Sequence, residues 1–323
     1  MNYTAERQTV DGIEVIHLAD AARNTSVRIA PSLGNNSYEM TVNGQRVFWS
    51  PYQTLAELKA KPAMAGNPFL APWANRLDQE AFWANGKRYH LNPDLKNFRK
   101  DGFQQPIHGL VVYTPNWQVT ALESGGEQAA LSSRLEFWRH PDWMAQFPFA
   151  HSIEMIYRLK DGALEIETVL ENLSVDAMPV SAGYHPYFTL PGVPRDSWKV
   201  RLPVREHVVL NDKLTPTGER KPFTLSQPVE LAGRQFDDVF AGVDSAAAFS
   251  VEGGGKKISV RYGPKFPVAV VYAPAGRDFV CFEPMTGITN AFNLAHAGKY
   301  PELQTIAPGG RWRESYWITP SGY

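Results

Sequence analysis

Apolar and polar positions alternate over many short stretches of this chain. Ile153, Met155, Tyr157 and Leu159 are spaced two apart. After Lys160-Asp161-Gly162, Leu164, Ile166, Thr168 and Leu170 repeat the spacing, while Glu165, Glu167 and Glu171 take the other face. A period of two predicts half-buried antiparallel strands. Ile258, Val260 and Tyr262 alternate likewise, and Val268–Tyr272 and Phe279–Phe282 are continuous apolar runs, as in strands buried on both faces.

Turn chemistry punctuates these runs. Asn43-Gly44 separates Tyr38–Val42 from Arg46–Trp49, and Asn85-Gly86 separates Ala81–Ala84 from Arg88–Leu91. Asn-Gly is a strong hairpin signal because both residues tolerate positive φ. Gly253-Gly254-Gly255 reads as a hairpin loop. Helical spacing is confined to Thr54–Lys61, which Pro62 stops. The pattern predicts an all-β chain, a large antiparallel β-sandwich forming a single domain over residues 1–323.

Composition adds exclusions. With 32 basic and 33 acidic residues the net charge is -1, so no basic excess invites nucleic acid or an anionic membrane. No apolar run approaches the roughly 18 residues of a membrane span. The N-terminal residues lack the apolar core of a signal peptide. One cysteine, Cys281, permits no intrachain disulfide. A cytoplasmic protein is the expectation.

The chemistry concentrates in a few segments. Gly183-Tyr184-His185-Pro186-Tyr187-Phe188 fences one imidazole with Gly, Pro and aromatic rings. Pro186 forces His185 into an extended backbone at a strand end or edge. The aromatic faces suit the C–H faces of a sugar, or else they bury an ordinary core histidine. His108 sits in Gln105-Pro106-Ile107-His108-Gly109, a turn whose glycine lets a ligand approach; it could equally be a surface turn histidine. Asn75-Arg76 follow Pro72-Trp73-Ala74. The Arg76 fork can hold sugar hydroxyls, or stack on Trp73. Asp237 and Asp238, within Phe236-Asp237-Asp238-Val239-Phe240, can cap a turn or bind hydroxyls. Glu283 ends a buried strand, so its carboxylate must either be paired, as in a structural salt bridge to Arg76 or another Arg, or carry a raised pKa. No phosphate-binding glycine loop and no zinc-type Cys or His spacing accompanies these residues. His108, His185 and Glu283 around a metal is a reading not adopted.

In this order, Asn75-Arg76, His108-Gly109, Gly183–Phe188, Phe236-Asp237-x-x-Phe240 and Glu283-Pro284 resemble the aldose 1-epimerase (galactose mutarotase) family. The matching segments run from about residue 67 to 293. The resemblance implies a β-sandwich of the galactose mutarotase-like supersandwich type, with a sugar cleft on one sheet and no cofactor or metal. It implies Glu283 as general base and His185 as general acid. His108, Arg76, Asn75 and Asp237 would bind substrate, Asp237 being preferred over Asp238 on the family's spacing. The implied partner is a monosaccharide, and the chain a monomer or weak homodimer. Gly109-Leu110-Val111-Val112-Tyr113 departs from the glycine-rich continuation common in galactose mutarotases. That departure leaves open a hexose 6-phosphate, which Arg88, Arg99 and Lys100 could attract. A carbohydrate-binding protein without catalysis, or a glycoside hydrolase using two carboxylates, are the readings from other classes.

Overall fold

The computed structural model describes residues 2–323. Its largest sheet has nine antiparallel strands. Gln118–Glu123, Ala129–Glu136, His151–Lys160 and Ala163–Asn172 follow one another as a meander. Arg311–Ser321 then inserts from the far end of the chain, and Lys256–Tyr262, Ala248–Gly253, Lys199–Arg201 and Val229–Glu230 complete the sheet. The hairpin foreseen at Lys160-Asp161-Gly162 pairs Ile153 with Leu170 and Tyr157 with Ile166.

The second sheet has eight strands. Its path runs Pro216–Pro222, Glu206–Leu210, Phe236–Ala241, Val268–Ala273, Val280–Met285, Gly183–Tyr184 and Phe69–Leu70, and Tyr187–Phe188 also pairs with Val280–Met285. Five N-terminal strands between Tyr3 and Arg46 form a third sheet in chain order. Strand makes up about 48% of the chain and helix about 10%, as the antiparallel β-sandwich requires. The predicted helix spans Leu55–Ala60, and Thr54 Oγ1 caps it by accepting from Glu57 N–H at 3.2 Å.

The core forms where apolar faces of the sheets meet. Val280 and Phe282 join a cluster with Phe188, Phe249, Tyr184 and Tyr316. Two buried hydroxyls find partners there: Tyr316 Oη donates to Asn67 Oδ1 at 2.6 Å and Tyr157 Oη to the Asn35 carbonyl at 2.6 Å. Strand alternation sends Cys281 and Glu283 to the opposite face of their strand. The second apolar run is thus buried on both faces, as foreseen, but one of its faces carries a carboxyl. The first run differs slightly: Tyr272 is partly exposed, because it borders a cleft.

Candidate active site

Segments 71–77, 106–110 and 183–188 and the strands Phe236–Ala241, Val268–Ala273 and Val280–Met285 build most of the cleft. Segment 71–77 is tied to segment 106–110 by backbone hydrogen bonds, His108 N–H to the Asn75 carbonyl at 2.9 Å and Leu110 N–H to the Ala71 carbonyl at 2.8 Å. Both Asn75 and His108 adopt positive φ, +56° and +63°. Such backbone costs energy for a non-glycine residue and clusters at functional sites. Gly109 follows at φ +66°, where a Cβ would lie 2.1 Å from the Ala71 carbonyl oxygen. Gly183 has no room for a side chain either; a Cβ would meet Met285 Sδ at 2.2 Å.

The six residues singled out from sequence all line one cavity of about 180 Å³: Asn75, Arg76, His108, His185, Asp237 and Glu283. Met64, Ile107, Tyr187, Val270 and Tyr272 complete its wall. His108 is 8% exposed, so it is no surface turn histidine. Arg76 does not stack on Trp73 and does not pair with Glu283. Its Nε donates to Asp101 Oδ2 at 2.7 Å and its Nη1 to Asn75 Oδ1 at 3.0 Å. Trp73 is wholly buried instead.

Asp101 was not foreseen. Its Oδ1 accepts from the Phe103 and Gln105 N–H groups, both at 2.9 Å, while Oδ2 fixes the guanidinium. Burial works against its charge, but the Gln105 N–H, the Arg76 side chain and the Phe103 N–H hold the carboxyl below its ordinary range.

The two neighbouring aspartates separate by strand alternation. Asp237 faces the cleft; Asp238 turns to the other side and binds His207 Nε2 at 2.7 Å. Burial raises the Asp237 carboxyl, with Arg76 opposing and Asp238 adding to the shift.

His185 Nε2 lies 3.3 Å from Glu283 Oε1. The angle is off the line of a hydrogen bond, so neither Glu283 oxygen has a hydrogen-bond partner among the described residues. Glu283 is 1% exposed. Burial, reinforced by the Asp237 charge, pushes its carboxyl well above the ordinary range, with Arg76 opposing. The His185 ring stacks on Tyr187, centroids 4.6 Å apart at 9°, and meets His108 edge-on at 5.6 Å. Burial pulls both imidazoles down, His108 further through the charge of His185 and then of Arg99 and Arg76. The carboxyl and the imidazole are in contact, and burial drives the first up and the second down, so both are biased towards their neutral forms. Such a pair can exchange a proton, and Arg76 and Asp237 flank it with groups able to bind hydroxyls.

The fold is shared with solved structures. A galactose mutarotase-like protein from Clostridium acetobutylicum superposes with a TM-score of 0.88 at 19% identity, covering 100% of this chain and 99% of that one. The galactose mutarotases of Homo sapiens and Pongo abelii are each 26% identical over 226 residues, 67% of this chain. The match spans 58% of each of those mutarotases' own length. The model of the aldose 1-epimerase family matches residues 16–319, and the chain belongs to that family.

Proposed function

We propose that the protein is an isomerase, an aldose 1-epimerase that interconverts the α and β anomers of a monosaccharide without a cofactor. The observation that carries this is the buried, unpartnered Glu283 in contact with His185 inside the cleft. A structural carboxylate would have a cation; this one has an imidazole and open lone pairs.

The reaction needs a proton taken from the C1 hydroxyl while the ring oxygen gains one. Both oxygens are bonded to C1, so the two catalytic groups must be neighbours, as they are. Before a sugar binds, the raised Glu283 carboxyl and the lowered His185 imidazole favour the pair's proton on Glu283. Moving that proton to His185 gives carboxylate and imidazolium with no change in net charge. A bound sugar favours this form, because its C1 hydroxyl donates to the carboxylate and its ring oxygen accepts from the imidazolium. Glu283 then removes the hydroxyl proton, His185 protonates the ring oxygen, and the C1–O5 bond opens. Rotation about C1–C2 and reclosure on the other face invert the anomer. Arg76, held by Asp101, and Asp237 bind hydroxyls distant from C1; Asn75 keeps Arg76 aimed and His108 adds a hydrogen bond near the ring oxygen. All of these groups come from one chain, which supports a monomer as sufficient.

A neutral sugar is the preferred substrate. Arg88 is engaged with Gln79 at 2.7 Å and Lys100 with Glu80. One observation favours a 6-phosphorylated sugar as the second reading. Arg99 stacks over Tyr113 at 5.1 Å, contacts Met64 of the cleft wall at 3.7 Å and depresses both histidines electrostatically. The test uses pure α-anomers, free and 6-phosphorylated, followed by polarimetry or by NMR exchange of the anomeric protons. Accelerated exchange of free hexoses supports the proposal, higher kcat/KM on phosphates shifts the substrate, and no acceleration of any aldose overturns it. No described helix is long and apolar enough to cross a membrane.

A further inference from the structure

The acid–base reading gives Cys281 no task. It is the one cysteine in the chain and it is fully buried. It stands two residues before Glu283 on Val280–Met285, so alternation puts both side chains on the same face. One donor atom each from His185, Cys281 and Glu283 lie within 4.8 Å of one another. His185 Nε2 and Glu283 Oε1 are already 3.3 Å apart. Both Glu283 oxygens and His185 Nδ1 are buried without hydrogen-bond partners among the described residues.

We propose that His185, Cys281 and Glu283 bind a thiophilic divalent cation of the zinc or cadmium kind, which shuts off the sugar site by occupying its acid–base pair. The shut-off rests on the proposed function; the cation site does not. Tetrahedral zinc, with bonds of about 2.0–2.3 Å, sets its donors roughly 3.3–3.7 Å apart. The His185–Glu283 spacing meets this, and the remaining spacings, all within 4.8 Å, need at most roughly 1–1.5 Å of closure. A carboxylate and a thiolate cancel the two charges of the ion, so no net charge is buried. Three protein donors leave a fourth position open, as in zinc sites that bind water or ligand. His185 and Glu283 line the cleft, which gives an ion its path in. The thiolate selects zinc, cadmium or cobalt over magnesium or calcium.

The test is a cobalt(II) titration of the full chain, stripped of metal by chelator and dialysis and followed by absorbance. A thiolate-to-cobalt charge-transfer band is expected, and a single cysteine makes it a report on Cys281. Cys281→Ala should remove the band. Glu283→Gln keeps the cysteine and should weaken apparent cobalt affinity at least about tenfold, since even groups behind metal ligands cost that much. Excess magnesium or calcium should leave the band unchanged. In a second arm, zinc should inhibit anomer interconversion, and Cys281→Ala should stay active while needing at least about tenfold more zinc for half-inhibition. No band from wild type, or a band unmoved by Glu283→Gln, overturns the site. A band together with full activity at saturating zinc overturns the shut-off. A band with no anomer interconversion in any sample upholds the site and rejects the proposed function. If Cys281→Ala does not fold, Glu283→Gln alone decides the binding arm.

Discussion

Glu167 and Glu283 are both buried glutamates on inner strands, one in each large sheet, and they are treated in opposite ways. Glu167 is 6% exposed and receives Arg158 Nη2 at 2.7 Å and Arg313 Nε at 2.8 Å. It belongs to a ladder of ion pairs on the outer face of the nine-stranded sheet, with Glu171 bridging Arg134 and Arg311. Glu283 is 1% exposed and has only a neutral-leaning imidazole beside it. A carboxylate with two cations is committed to holding strands together. One with none can gain and lose a proton, which is what acid–base chemistry requires. The contrast fits stability for the first and, under the proposed function, reaction for the second.

The sharpest way to break this contrast is Glu283→Gln. The amide keeps shape and can hydrogen-bond, but it cannot accept a proton. The expected loss is at least about 10²-fold in kcat with KM little changed. Polarimetry on a pure α-hexose measures it. A variant keeping half the wild-type rate would pass the role of base to Asp237.

The same substitution should act on stability with the opposite sign. The Glu283 pKa is raised in the folded protein, so the folded state keeps a proton that the unfolded chain releases above about pH 4.3. Its contribution is therefore fully present below that pH and is lost as pH rises towards the folded pKa. Gln has no such loss. The unfolding free energy of Glu283→Gln minus that of wild type should rise from pH 5 to pH 8, by up to about 1.4 kcal/mol per pH unit where one proton is released, and the Tm difference should rise with it. Thermal melts at several pH values, compared pairwise, test this. A flat difference would mean that Glu283 is ionised throughout. His185 and His151, both lowered by burial, act in the other direction, losing stability as pH falls below about 6.5. His151 is common to both proteins and cancels in the difference, whereas His185 touches Glu283, so the difference reports the titration of that pair.

Asp101 sharpens the comparison from the ligand side. It neutralises Arg76 as Arg158 neutralises Glu167, but here the held group faces a cleft. Asp101→Asn keeps the turn's acceptor oxygen and removes the charge that aims the guanidinium. KM should rise roughly tenfold, about 1.4 kcal/mol, with kcat changed far less. A fall in kcat at constant KM would instead place Asp101 in the proton chemistry. Asp101→Glu should restore part of the loss if charge rather than turn geometry matters.

Much of this was legible in sequence, and the gaps have physical reasons. Period two located strands such as His151–Lys160, and the Asn-Gly pairs located hairpins, because both signals are local. The position of Arg311–Ser321 between Ala163–Asn172 and Lys256–Tyr262 was not legible, since pairing across such separations leaves no local periodicity. Alternation shows that Asp237 and Asp238 face opposite ways, but not which one faces the cleft; that depends on what covers each side of the sheet. Arg76 and Glu283 read as possible partners because each needed one. The structure gives Arg76 to Asp101, an acid in a turn that looks like any solvated loop, and leaves Glu283 with His185.

The smallest effect expected comes from Glu167→Gln, and it tests the other half of the contrast. Removing one partner of a buried ion pair can cost about 3–5 kcal/mol when the remaining charge stays buried. Here the Arg158 side chain is 25% exposed and that of Arg313 is 65% exposed, so water can solvate both once the carboxylate is gone. Arg158 also keeps Glu165 at 3.3 Å. The cost should fall towards that of an exposed pair, roughly 1 kcal/mol, or about 2 °C in Tm for a chain of this size. High salt should narrow the gap between variant and wild type, because screening weakens only the ion pair. Anomer interconversion should be unchanged, since the two glutamates lie on different sheets and share no partner. A several-fold loss of kcat in a well-folded Glu167→Gln would show that the outer ladder reaches the cleft, and that the division of labour between the two sheets is wrong.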